Sequence, residues 1–144
     1  MYETILVPTD GGSTAEKGED HAIELAAALD ATVHVLYVIE EGGNPWMAES
    51  MGDQQERARS YAQEILDEVT DRGEEAGVDV ETGIKVGPDV FKEINEYVEE
   101  EGMDAIVMGT GYRGKFGGFL GSTAENVIRT SDVPVTVIRR RSNE

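Results

Sequence analysis

Apolar positions along the chain switch between short runs or period-two alternation and stripes of period near 3.6. Thr4 to Pro8 predicts a first strand, ending at Thr9-Asp10-Gly11-Gly12. Ala22, Leu25, Ala26 and Leu29 share one stripe of a helix from Ser13 to about Leu29, which Asp30 closes. Ser13 and Glu16 have capping-box spacing, with Ser13 as N-cap. Thr32 to Ile39 is a β-branched strand. Glu40 to Met51 carries Gly42, Gly43, Asn44 and Pro45 and predicts a loop, with Trp46 inside it. A long helix follows from about Gln54 to Ala76, striped by Ala58, Tyr61, Ala62, Ile65, Leu66 and Val69, with Gly77 as its C-cap glycine. Val78 to Val86 alternates apolar with Asp79, Glu81 and Lys85, the mark of a strand with one face partly wet.

Gly87-Pro88-Asp89 opens a third helix that turns Phe91, Ile94, Tyr97 and Val98 inward and ends near Gly102. Ala105 to Met108 is a strand buried on both faces, stopping at Gly109. A helix from Gly121 to about Thr130 and a strand from Val133 to Ile138 complete the order βαβαβαβαβ. That order implies an α/β fold: an open, doubly wound, five-stranded parallel sheet with helices on both faces, Rossmann-like, in one domain over residues 1–144. With strand order 3-2-1-4-5, ligands gather where the winding reverses, between strands one and four. The Asp10 turn and the glycine loop after Met108 then face each other.

Composition narrows the class. The 144 residues suit one domain with a sizeable core. No apolar run approaches the roughly 18 residues of a membrane helix, and the N-terminus lacks a secretion signal, so a cytoplasmic protein without membrane contact is expected. There are no cysteines, and His21 and His34 are too few for a typical zinc site. His21 reads as a surface helix residue and His34 as a sheet residue, and neither has a Ser or Cys partner for a nucleophilic triad. Thirty acids against twelve bases give a net charge of −18, spread evenly. Such a surface excludes nucleic acid as a partner and fits a solvated exterior suited to high salt, as in halophile proteins.

Against that background Asp104 to Ser131 holds three bases (Arg113, Lys115, Arg129) and two acids (Asp104, Glu125). Gly109, Gly111, Gly114, Gly117, Gly118 and Gly121 lie between a buried strand and a helix start, an arrangement that holds phosphate. Gly109 to Gly114 fits G-x-G-x-x-G, but further glycines follow and the next strand ends in arginines instead of an acid. Gly109 to Lys115 begins a P-loop, but Phe116 stands where Ser or Thr must hold magnesium. A third pattern fits better: Gly111, nine residues, then Gly121-Ser122. With Ile5-Leu6-Val7-Pro8-Thr9-Asp10, Leu36-Tyr37-Val38-Ile39, Ala124-Glu125-Asn126-Val127-Ile128 and Val133 to Ile138, it resembles the universal stress protein family over nearly the whole chain. The family's Gly-x-x-Gly is one residue shorter here, Gly109-Thr110-Gly111.

The resemblance implies the adenine nucleotide alpha hydrolase-like variant of the fold and ATP as ligand, with magnesium. It places Asp10 near ribose and phosphates, the backbone of Pro8, Thr9 and Val38 beside adenine, and Met108 and Gly109 beneath the nucleotide. Gly111 and Gly121 leave space for phosphate, Ser122 and Thr123 donate to it, and Arg113 and Lys115 are candidate contacts. From the residues alone, Asp10 also suits a plain turn or N-cap. The expected function is an ATP-binding sensor or regulator in stress response, a homodimer through Val133–Ile138. No catalytic residue or metal ligand stands out, which favours a binding module over a hydrolase. A slow ATP hydrolase and a nucleotide-free dimeric stress protein stay open as alternatives.

Overall fold

The computed structural model describes residues 2–41, 51–110 and 120–139, with the main chain alone for 51–53. Among these, strands and helices alternate: β1 Thr4–Thr9, α1 Ser13–Leu29, β2 Thr32–Glu40, α2 Met51–Glu75, β3 Val80–Gly87, α3 Val90–Glu101, β4 Ala105–Thr110, α4 Ser122–Thr130 and β5 Val135–Arg139. The strands form one sheet in the order β3-β2-β1-β4-β5, and every pairing is parallel.

Successive side chains of a strand point to opposite faces, so unbroken apolar runs supply two cores. Ile5, Val7, Val33, Val35 and Val107 pack under α1 and α2, through Ala22, Ile23, Ala26, Leu66 and Val69. Leu6, Leu36, Ile106 and Met108 pack on the other side under α3 and α4, through Ile94, Tyr97, Val98, Ala124 and Val127. Each fully buried Leu, Ile or Val contributes about 1.5–3 kcal/mol, so both layers are needed.

Two glycines set how closely α1 approaches the sheet. A Cβ on Gly18 would lie 2.6 Å from the Gly109 nitrogen, and one on Gly109 would land on the Thr14 carbonyl, with its carbon at 2.9 Å. Backbone therefore meets backbone where α1 crosses β4. At the other end of the sheet the Asp104 carboxylate accepts from the Glu3 and Thr4 N–H groups at 2.8 and 3.0 Å, tying the start of β1 to β4. Those hydrogen bonds hold its pKa below the usual carboxylate range.

Several boundaries differ from the sequence reading. β4 continues through Gly109 to Thr110, because the glycine is taken up by packing against α1 instead of ending the strand. Ser13 is the first residue of α1 and not its cap: Gly12 holds the N-cap position with no side-chain hydrogen bond, so the Ser13–Glu16 capping box is absent. α2 begins earlier, at Met51. Val78 lies in a turn before β3, its N–H bonded to the Gly73 carbonyl, and β5 starts at Val135, two residues late, since the Pro134 carbonyl only receives the Ile106 N–H. Asp30 and Gly102 close α1 and α3 as expected, and both adopt the left-handed conformation. His34 is a buried sheet residue, 2.9 Å from the Tyr97 hydroxyl through Nδ1.

Candidate functional site

β1 and β4 pair only at Ile5–Ala105 and Leu6–Ile106, and then part. Pro8, which cannot donate to a ladder, stands two residues beyond the last of these pairs. The parting opens a cavity of about 440 Å³ at the carboxyl ends of the strands, at the switch point. β1 contributes Pro8 and Thr9, with Asp10 after it; β2 contributes Leu36 to Glu40; β4 contributes Met108 and Gly109. Thr14 and Ala15 of α1, Ala58 of α2, Val90 and Ile94 of α3 and Thr123 of α4 complete the wall. The volume falls in the range of small-molecule sites, about 300–1,000 Å³.

The β1–α1 turn is fixed by its own side chains. The Gly12 N–H donates to Asp10 Oδ1 at 2.8 Å, and the Gly11 N–H donates to Thr9 Oγ1 at 3.0 Å. Gly11 has φ +82°, which favours glycine, and a Cβ there would press on the ends of the Ile65 and Tyr61 side chains of α2. Tyr61 also meets Tyr37 edge to face, with ring centroids 6.1 Å apart. Burial pushes the Tyr37 hydroxyl pKa up, and Tyr61 and Asp10 add to the shift.

At the α4 side, the Gly121 N–H donates to Thr110 Oγ1 at 2.9 Å, joining the end of β4 to the start of α4. Gly121 caps α4 with no side-chain hydrogen bond, so among the described residues no side chain caps the first-turn N–H groups, which suit an anion. Among the described residues, a Cβ on Gly121 would touch Thr110 Oγ1 alone, at 3.4 Å.

Of the residues singled out in the sequence, Pro8, Thr9, Asp10, Val38, Met108, Gly109 and Thr123 lie around one cavity. Gly121 and Ser122 stand beside it at the head of α4, and Ser122 is exposed and outside its wall. Gly111, Arg113 and Lys115 lie outside the described residues, as does Trp46.

A family model described as the universal stress protein family matches residues 1–139. The chain belongs to the universal stress protein family. A universal stress protein of Methanocaldococcus jannaschii is 36% identical over 149 residues, covering 100% of this chain and 86% of the relative. The crystal structure of a universal stress protein family member from Burkholderia pseudomallei superimposes with TM-score 0.80 at 30% identity, covering 95% and 96% of the two chains. A universal stress protein crystallised in complex with cAMP superimposes with TM-score 0.71 at 27% identity, covering 96% and 97%.

The sequence reading singled out for the site neither Tyr37, which lines the cavity of this universal stress protein, nor Glu19, Arg72, Thr110 and Tyr61, which contact the segments around it. Glu19 had a signal: with Ala15, Ala22 and Ala26 it falls on the buried stripe of α1, where an acid needs a partner. Arg72 had one too, three residues past Val69 on the apolar stripe of α2. Thr110 had none, since it fell beyond the strand's expected end. Among the described residues no group of His, Asp and Glu could hold a metal ion, and no helix is long and apolar enough to cross a membrane.

Proposed function

We propose that the cavity between β1 and β4 binds an adenine nucleotide, and that the protein is a nucleotide-dependent regulator in stress response. The observation that carries this is the parting of β1 and β4 into a cavity walled by strand ends and by Thr123 of α4. The wall suits the ligand in two halves. Leu36, Val38, Met108 and Ile94 offer apolar surface to a base, while the open first turn of α4 offers N–H groups and positive dipole to phosphate. The relative in complex with cAMP, 27% identical, supports an adenine nucleotide as the class.

Within that class the reading favours ATP with magnesium, on the Gly111-x9-Gly121-Ser122 spacing and on Arg113 and Lys115. Asp10, Pro8, Thr9 and Val38 would border ribose and base, and Gly121, Ser122 and Thr123 the phosphates. Asp10 keeps one carboxylate oxygen clear of its bond to Gly12. The acting unit is one domain that pairs with a second copy through β5, an end strand with a single sheet neighbour. Val135 and Val137 there are half-buried, and Ile128 of α4 is exposed. The charge of −18 points to work in concentrated salt, and the cytoplasm is the proposed compartment. Mass spectrometry of small molecules released from the purified protein is the test. An adenine nucleotide is expected, and its absence together with failure to bind added AMP, cAMP or ATP would overturn the reading.

One observation favours the nucleotide-free alternative. Gly109, the first glycine of the shortened motif, is used in β4 to admit α1. Loss of binding to all three nucleotides with the dimer intact would select that reading.

A further inference from the structure

Glu19 is 3% exposed on the inner stripe of α1. A carboxylate there is costly unless its oxygens are paired and hydrogen-bonded. Both are used: Oε2 accepts the Thr9 hydroxyl, and Oε1 meets the Arg72 guanidinium of α2. The other terminal nitrogen of Arg72 holds Asp20. Burial alone would lower the Arg72 pKa, but Glu19 and Asp20 outweigh it and hold the guanidinium above its usual value. With its proton directed to Glu19, the Thr9 hydroxyl turns a lone pair to the Gly11 N–H, 3.0 Å away. One chain of polar contacts therefore runs from α2 through α1 into the turn that presents Asp10 to the cavity.

Stability alone does not account for this chain. A buried ion pair replaced by apolar groups of equal volume is often neutral in stability. Its geometry has another consequence: the rotamer of Thr9 decides whether Gly11 keeps its acceptor, and Glu19 decides the rotamer. We propose that Glu19, held by Arg72, is a positioning residue of the nucleotide site, fixing the Thr9–Gly12 turn in the conformation that receives ligand. This rests on the reading that the cavity takes an adenine nucleotide. Glu19 does not touch the ligand; it acts through Thr9.

The test uses the full chain in molar salt, with ATP as the calorimetric probe and amide hydrogen exchange at Gly11 as a readout that needs no ligand. Glu19→Met removes the acceptor at similar volume, Thr9→Val removes the hydroxyl, and Thr9→Ser keeps it. Glu19→Met and Thr9→Val should each weaken ATP binding about tenfold, and the double variant should do no worse than either. Gly11 exchange without ligand should rise about tenfold in Glu19→Met and Thr9→Val and stay near the wild-type rate in Thr9→Ser, which keeps the hydroxyl. Losses that multiply in the double variant, or Gly11 exchange unchanged in both variants, would overturn the proposal. If wild type binds no ATP, the functional reading fails, and Gly11 exchange alone then decides whether Glu19 fixes the turn. If Glu19→Met does not fold, Gly11 exchange in Thr9→Val against Thr9→Ser decides.

Discussion

Gly109→Ala adds a single methyl group where α1 crosses β4. The new Cβ would land on the Thr14 carbonyl oxygen, 2.9 Å from the carbonyl carbon and 3.4 Å from the Ala15 Cα. All three obstacles are backbone of a helix, so no rotamer change relieves the clash. Carbon and oxygen settle at a little over 3 Å, so the start of α1 must shift from the sheet by about 1 Å. Overpacking costs about 1–3 kcal/mol, and a clash without a soft partner belongs near the top, about 3 kcal/mol. For a chain of this length about 4 °C is lost per kcal/mol, so melting should fall by about 12 °C. Gly77→Ala is the control: φ is +76° and, chain neighbours aside, no atom of the described residues lies within 4 Å of an added Cβ, leaving backbone strain alone, about 1 kcal/mol. Thermal melts followed by circular dichroism in molar salt compare the three proteins. A Gly109→Ala melting point within about 3 °C of wild type, or no lower than that of Gly77→Ala, would refute close backbone packing as the reason for this glycine.

Three further outcomes are expected. At −18, screening should relieve self-repulsion as the Debye length falls from about 10 Å at 0.1 M to about 3 Å at 1 M. Melting temperature should climb steeply over that range, and a flat profile would remove the high-salt reading. Asp104 has a folded pKa below its usual 3.8, so its stabilisation is complete above that value and is lost as pH falls through the folded pKa. The melting difference between wild type and Asp104→Asn should be clear at pH 7 and shrink below about pH 4; an equal difference at both would contradict the ion's role. Replacing Val135 and Val137 with lysine should turn a dimer into monomers by light scattering in high salt, and a double variant still dimeric would exclude β5 as the interface.

The fold was legible because both cores are built from uninterrupted strands. Runs such as Ile5-Leu6-Val7 and Ala105-Ile106-Val107-Met108 place neighbours on opposite faces, which is what a sheet covered on both sides requires. The βαβ order then left few topologies, and 3-2-1-4-5 is the observed one. The candidate site was legible in outline, since Asp10 and Thr123, over a hundred residues apart, line one cavity. Finer features were not, because they depend on tertiary neighbours. Gly109 reads as a strand breaker until α1 is seen lying on it. Ser13 reads as a cap, but Asp10 already satisfies the Gly12 N–H and the turn places Gly12 at the cap. Glu19, an acid on the inner stripe of α1, announces that it needs a partner, but only the folded chain shows Thr9 and Arg72 converging on it.

The central claim is that the β1–β4 cavity takes an adenine nucleotide with its phosphates toward the head of α4. Gly121→Val addresses it most directly. Gly121 has φ −63°, which valine accepts, and among the described residues an added Cβ meets Thr110 Oγ1 alone, at 3.4 Å, so the fold should survive. The branched side chain would nevertheless fill space needed by phosphate. Isothermal calorimetry with ATP in high salt should show saturable binding by the wild type. It should show none by Gly121→Val at a melting temperature within about 3 °C. Unchanged affinity in the variant would contradict the placement of the phosphates, and no binding by the wild type would contradict the function.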